Sequence, residues 1–168
     1  MTGARAIALV AGLGALALAS GISLAAAARP AACPAGDRQA VVSVRPGAAR
    51  ELVPPGATRL LLCRYGGLND GGAAFRLEAA PALVTRSATV ARYARELDAL
   101  QPTTGVYHCP SDTGKAIVVY FRYPTGPADP VTVGLDGCML VNNGHLHRTA
   151  GVQAAGRSLV AAFKALVP

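Results

Sequence analysis

Residues 116–123 run Ala-Ile-Val-Val-Tyr-Phe-Arg-Tyr, with Ile117, Val119, Phe121 and Tyr123 on one face and every other position except Arg122 apolar or aromatic as well. A period-two stretch without a polar face predicts a strand covered on both sides. In Val131-Thr132-Val133-Gly134-Leu135 the alternation is cleaner, and it predicts a second strand with Val131, Val133 and Leu135 inward and Thr132 facing water. The intervening residues 124–130 contain three prolines, which lack a ladder donor and fix φ, so they read as the turn. Pairing the two strands around that turn sets Cys138 across from Lys115, with the Pro110–Gly114 loop bringing Cys109 back to it.

The rest of the chain follows the same logic. Residues 57–65 predict a strand, residues 66–72, with four glycines, a hairpin connection, and residues 74–78 the return strand, with Phe75 and Leu77 alternating with charged neighbours. A short strand is expected at 40–44. Met139-Leu140-Val141, the turn Asn142-Asn143-Gly144 and His145-Leu146-His147-Arg148 read as a further hairpin. Between the strand groups, Val90, Tyr93, Ala94, Leu97 and Leu100 recur at helical spacing over 86–100, with Thr85 or Ser87 as the cap, Arg92 and Glu96 placed to pair, and Gln101-Pro102 as the stop. A last helix is expected over 151–166, its packed face carrying Val152, Ala155, Leu159, Phe163 and Leu166. Strands, helix, strands, helix make an α+β domain: one antiparallel sheet of about five strands with two helices packed on it.

Composition changes the picture at the N-terminus. A short basic start, Met1 to Arg5, precedes an almost uncharged Ala- and Leu-rich run through Ala28, closed by Arg29-Pro30. That is the layout of a secretory signal peptide over residues 1–28, with Ala26 and Ala28 placed for cleavage. Two other readings keep the chain at the membrane: an uncleaved anchor, or lipidation of Cys33, although the Leu, Val or Ile expected three positions before a lipidated cysteine is missing. All three place the domain outside the cytoplasm. The expected organisation is a leader over 1–28, a Pro-, Gly- and Ala-rich arm over 29–56, and an α+β domain over 57–168.

An exported chain with four cysteines and no C-x-x-C points to two disulfides rather than a zinc or thioredoxin-like site. Four cysteines allow three connectivities, and the sequence alone does not choose among them. The strand pairing favours Cys109–Cys138, which leaves Cys33–Cys63. The formal charge of +7 comes from sixteen cations, fourteen of them arginines scattered along the chain and often near an acid. Nucleic-acid surfaces gather such residues on one face, so the expectation is a solvated basic surface suited to a cell wall, a membrane surface or a secreted protein partner, with no nucleic acid.

Candidate chemistry is sparse. His145 and His147, two apart, would share a strand face, and with His108 they form the one candidate metal set; the bland reading of three surface histidines is preferred. No G-x-S-x-G occurs, Ser111 has only neighbouring His108 as a base, and Asp112 reads as a turn cap. The expectation is therefore a non-catalytic module without a cofactor.

Leu60 to Tyr65, Glu96 to Leu100, Cys109-Pro110, Phe121-Arg122-Tyr123, and Gly137-Cys138 through Asn143-Gly144 together resemble a group of small secreted or lipid-anchored domains of high-GC actinobacteria that carry no assigned function. The order of a helix ending in Leu-Asp-Ala-Leu, a Cys-Pro, a strand pair and a second cysteine is also similar to the layout of bacterial subtilisin inhibitors. That second resemblance implies that Ser111 and Asp112 stand where such inhibitors present their protease-binding loop, although a small hydroxyl and an acid replace the usual large side chain.

Overall fold

The computed structural model describes residues 32–36, 42–68, 70, 75–106 and 108–168. The leader expected over residues 1–28, and the start of the strand expected at 40–44, lie outside the described residues. No described helix is long and apolar enough to cross a membrane.

The elements in chain order are β1 (Arg59–Tyr65), β2 (Ala82–Val84), α1 (Ser87–Asp98), β3 (Gln101–Pro102), β4 (Ala116–Arg122), β5 (Asp129–Gly134), β6 (Leu140–Asn142), β7 (His147–Thr149) and α2 (Ala154–Leu166). They form an α+β body around one antiparallel sheet of order β2-β1-β4-β5-β6-β7-β3. The sheet has seven strands rather than five. The two unforeseen strands are its edges, three and two residues long, too short to show a hydrophobic period. Pro102 fits β3 because an edge strand tolerates a missing donor.

The two longest strands, β1 and β4, pair over their full length, from Arg59↔Arg122 to Tyr65↔Ala116. Every β4 residue from Ala116 to Phe121 is buried, as its unbroken apolar run requires. On one face Leu60, Leu62, Ile117, Val119, Phe121, Val131 and Val133 pack against Val90, Tyr93 and Leu97 of α1 and Leu159, Val160 and Phe163 of α2. The Tyr93 and Phe163 rings bridge the helices at 4.9 Å between centroids. On the opposite face Leu61, Cys63, Tyr65, Val118 and Tyr120 are covered in part by Cys33 and Leu77, and the Tyr65 hydroxyl donates to the Pro34 carbonyl at 3.0 Å. Thr132 is buried too, contrary to the expectation that its face meets water.

Both expected disulfides are present, Cys33–Cys63 and Cys109–Cys138, with Cα–Cα distances of 5.6 and 5.1 Å. Their sequence separations of 30 and 29 residues correspond to on the order of 3 kcal/mol each in the chain-entropy account. The route to the second differs from the expected one. Ala116 pairs with Gly134 and the Leu135 N–H donates to the Lys115 carbonyl, so Lys115 faces Leu135 rather than Cys138. A turn at Asp136 and Gly137 then carries Cys138 back to Cys109. Gly137, at φ +57, lies against the loop so closely that a Cβ would stand 2.8 Å from that of Asp112.

Other local expectations are corrected as well. Residues 75–78 form no strand: Arg76 and Leu77 make single bridges to Gly36 and Tyr65, and the neighbour of β1 on that side is β2. Phe75, at φ +57, breaks the extended run there. Residues 42–44 are not a strand, and β5 begins at Asp129, inside the stretch read as turn. The N-cap of α1 is Arg86, without a side-chain cap from Thr85 or Ser87. The Arg92–Glu96 pair forms at 2.9 Å. In α2, Val152 lies ahead of the helix and is exposed, as are Ala155 and Leu166; the packed face is Gly156, Leu159, Val160 and Phe163.

Within the stretch read as an arm, described residues belong to the packed body. Ala48, Leu52 and Val53 are buried, and Leu52 and Val53 belong to the helix-side core. Truncation of Leu52 to Ala is expected to cost about 2–5 kcal/mol in urea unfolding; a peripheral arm would lose a few tenths. Gly156→Ala tests the seating of α2, because a Cβ there would stand 2.4 Å from the Ala150 carbonyl oxygen. The ordinary gain of about 1 kcal/mol for Gly→Ala in a helix is expected to reverse into a lower unfolding midpoint.

Candidate functional site

Two places concentrate chemistry: an exposed loop closed by a disulfide, and a buried polar cluster at the end of the sheet where β4 turns into β5. In the loop, Pro110, Ser111 and Asp112 are exposed, and the chain turns sharply at Ser111, with φ +65. Asp112 caps the turn as expected, accepting the Gly114 N–H at 2.9 Å. Asp136 holds the next residue twice, accepting the Thr113 N–H at 3.0 Å and the Thr113 hydroxyl. The Thr113 carbonyl accepts the Leu68 N–H at 2.7 Å, which ties in the glycine-rich connection. With Cys109 bonded to Cys138, the loop is fixed at its base and on both flanks. A 280 Å³ pocket opens beside it, lined by His108, Pro110, Cys138, Thr149 and Val152 among others.

The three histidines take separate roles. His108 is exposed on that pocket, His147 opens β7 with its side chain in solvent, and His145 sits in the preceding turn with Nε2 at 2.8 Å from the Ser43 carbonyl oxygen. The strand expected over 145–148 begins only at His147, so the two are not neighbours on one strand face. Among the described residues, no three His, Cys, Asp or Glu side chains gather so as to hold a metal ion.

The buried cluster was not foreseen. Its frame is Asn143, fully buried in the turn between β6 and β7. Its Oδ1 accepts the N–H groups of His145 and Leu146, while its Nδ2 donates toward the carbonyls of Ala48, Glu51 and Leu52 at 2.8, 3.1 and 3.3 Å. One side chain thus shapes its own turn and pins a segment more than ninety positions away. Asp98, the last residue of α1, accepts the Val53 N–H at 3.1 Å, and the Tyr123 hydroxyl donates to the Pro54 carbonyl at 2.7 Å. The Arg45 guanidinium lies over the Tyr123 ring, 3.3 Å from its centroid, and donates to the carbonyls of Thr125 and Pro127. Residues 43–51 are thereby strapped across the sheet end largely by side chains, next to Leu52 and Val53, which are seated in the core.

Beneath the strap lies Asp129, wholly inaccessible to solvent. Burial pushes its carboxyl from 3.8 up to about 7, opposed by the Ser43 hydroxyl and by the charges of Arg45 and His145, and reinforced by Asp98. Neither carboxylate oxygen has a hydrogen bond of ordinary geometry. Burial also raises Asp98, against the Val53 and Leu52 amides, and raises Tyr123. A signal for Asp129 exists in the sequence: alternation carried back from Val133 and Val131 places residue 129 on the inward face. The three prolines of the stretch hid it.

Elsewhere Lys115 lies between Asp70 and Glu78 at 3.4 and 3.3 Å, and Arg64 meets Glu78 at 3.4 Å. Comparison with models of protein families, with curated proteins and with solved structures finds no match to this chain.

Asp129 makes a directional prediction for stability. Between the unfolded value of 3.8 and the folded value of about 7, the folded chain holds the proton that the unfolded chain has released, so stability falls as pH rises through that window. Urea unfolding is expected to show a more stable protein at pH 5 than at pH 8. Asp129→Asn should remove most of that difference and gain on the order of 2 kcal/mol at pH 8. An unchanged pH slope in the variant would assign the effect elsewhere.

Proposed function

We propose that this chain is an exported, non-catalytic module of the cell envelope or the secreted protein set, and that it acts by binding a wall, surface or protein partner. The observation that carries the reading is the pairing of all four cysteines. Structural disulfides persist where thiols oxidise, outside the reducing cytoplasm, and a domain of this size gains from being stapled there.

The clasped loop supports binding as the mode of action. Pro110, Ser111 and Asp112 are presented to solvent by a disulfide and by the Asp136 bonds, so a partner meets a surface whose ordering cost is already met by the fold. The same rigidity favours a second reading, a protease inhibitor using the Cys109–Gly114 loop. Against it stands the left-handed turn at Ser111, because active-site clefts of proteases take an extended segment.

Two measurements test these readings. Fractionation of producing cells under non-reducing conditions, with alkylation of free thiols, is expected to find the protein outside the cytoplasm with no alkylatable thiol; a cytoplasmic protein with four reactive thiols would overturn the proposal. Against a panel of secreted serine proteases, no inhibition is expected at micromolar protein. Inhibition that Ser111→Gly abolishes would establish the inhibitor instead, since glycine keeps the positive-φ turn and removes only the side chain.

A further inference from the structure

We propose that residues 43–51 form a proton-operated strap, closed over the sheet end while Asp129 is neutral and released from it when Asp129 ionises, with Leu52 and Val53 as its fixed end. Asp129 has no solvent access and neither oxygen has a hydrogen bond of ordinary geometry, so burial disfavours its charged form by more than the nearby Ser43 hydroxyl and Arg45 charge offset. Relief requires water or a cation to reach it.

The strap is the element that can yield. The adjoining strands are held by continuous ladders, Tyr120↔Pro130 and Phe121↔Asp129 among them, and a disulfide closes the far end of the β4–β5 pair. Leu52 and Val53 are anchored in the helix-side core, whereas residues 43–51 are held by the Ser43 N–H on the Asn143 carbonyl, by the Asn143 amide on Ala48 and Glu51, by two bonds from Arg45 and by one from His145. Such side-chain fastenings open locally at lower cost than a central ladder.

The charged and titratable groups around Asp129 come from every side: Arg45 from the strap, Asp98 from the end of α1, Tyr123 from the residue after β4 and His145 from the turn before β7. Glu51 and Arg148 act one step further out, on Asp98. Arg45 is the cation that could neutralise Asp129 in place, but its guanidinium is engaged by the Tyr123 ring and the carbonyls of Thr125 and Pro127. Turning it inward would undo the contacts that hold the strap down. The raised affinity of Asp129 for its proton, with release at about pH 7, puts the transition within the range an exported protein meets.

The test is hydrogen exchange on the full folded chain with both disulfides intact, at pH 5.5 and 8.5, corrected for intrinsic exchange rates. Peptides covering residues 43–51 should lose protection by about tenfold or more at the higher pH, while peptides from β4 and β5 hold theirs. Asp129→Asn should keep the strap protected at both. The proposal is overturned if strap and sheet lose protection together, if the strap gains protection at high pH as an Arg45–Asp129 ion pair would cause, or if Asp129→Asn retains the step. In that last case Asp98→Asn and His145→Gln identify the group responsible. Should Asp129→Asn fail to fold, carboxyl ¹³C titration of the unmodified protein decides: Asp129 and the strap amides must shift with one midpoint, and separate midpoints sink the idea.

Discussion

A strand buried on both faces must be covered twice, and β4 sets that requirement for the whole chain. Its apolar run leaves no side for water, so whatever else folds has to supply two layers. The helices supply one, meeting through Tyr93 and Phe163. The N-terminal residues around Cys33 and Pro34 contribute to the other, where a small set of contacts is reinforced by a covalent bond from Cys33 to the fully buried Cys63. The disulfide stands where apolar area is scarce, in keeping with the general finding that small cores need staples.

The end of the sheet shows a different solution. There the cover is a polar strap, and burying so many backbone groups demands that each find a partner. Asn143 meets most of that demand alone, with Asp98 and Tyr123 completing it. Asp129 is the exception, a carboxyl enclosed by the arrangement that satisfies its neighbours.

Hydrophobic period made the central strands and both helices legible, because each spans enough residues for an alternation or a helical stripe to show. The cysteine pairing was only narrowed: the strand pair favoured Cys109–Cys138, but by a register that set Cys138 across from Lys115, where Leu135 stands. The edge strands were hidden by shortness, and Phe75 and Met139 adopt positive φ that no local pattern announces. The buried cluster was hidden by distance in sequence. Asn143 reads correctly as a turn residue, but its amide partners lie 91, 92 and 95 positions away, beyond the reach of any periodicity argument. Arg45 reads as one more scattered cation until Tyr123 is beneath it.

The placement of α1 constrains the sheet mechanically. It leaves β2 at one edge and delivers the chain to β3 at the opposite edge, with only residues 85–100 in between. Seven strands set about 4.8 Å apart measure roughly 29 Å from first to last. A helix of twelve residues covers about 18 Å; Ala99 and Leu100 prolong its last turn by about 3 Å, and residues 85 and 86 add at most about 7 Å. The connection is therefore close to taut, a crossbar of fixed length whose ends are sewn to both margins. Spreading or flattening the sheet would have to stretch it, so the curvature of the seven strands and the seat of this helix are set together.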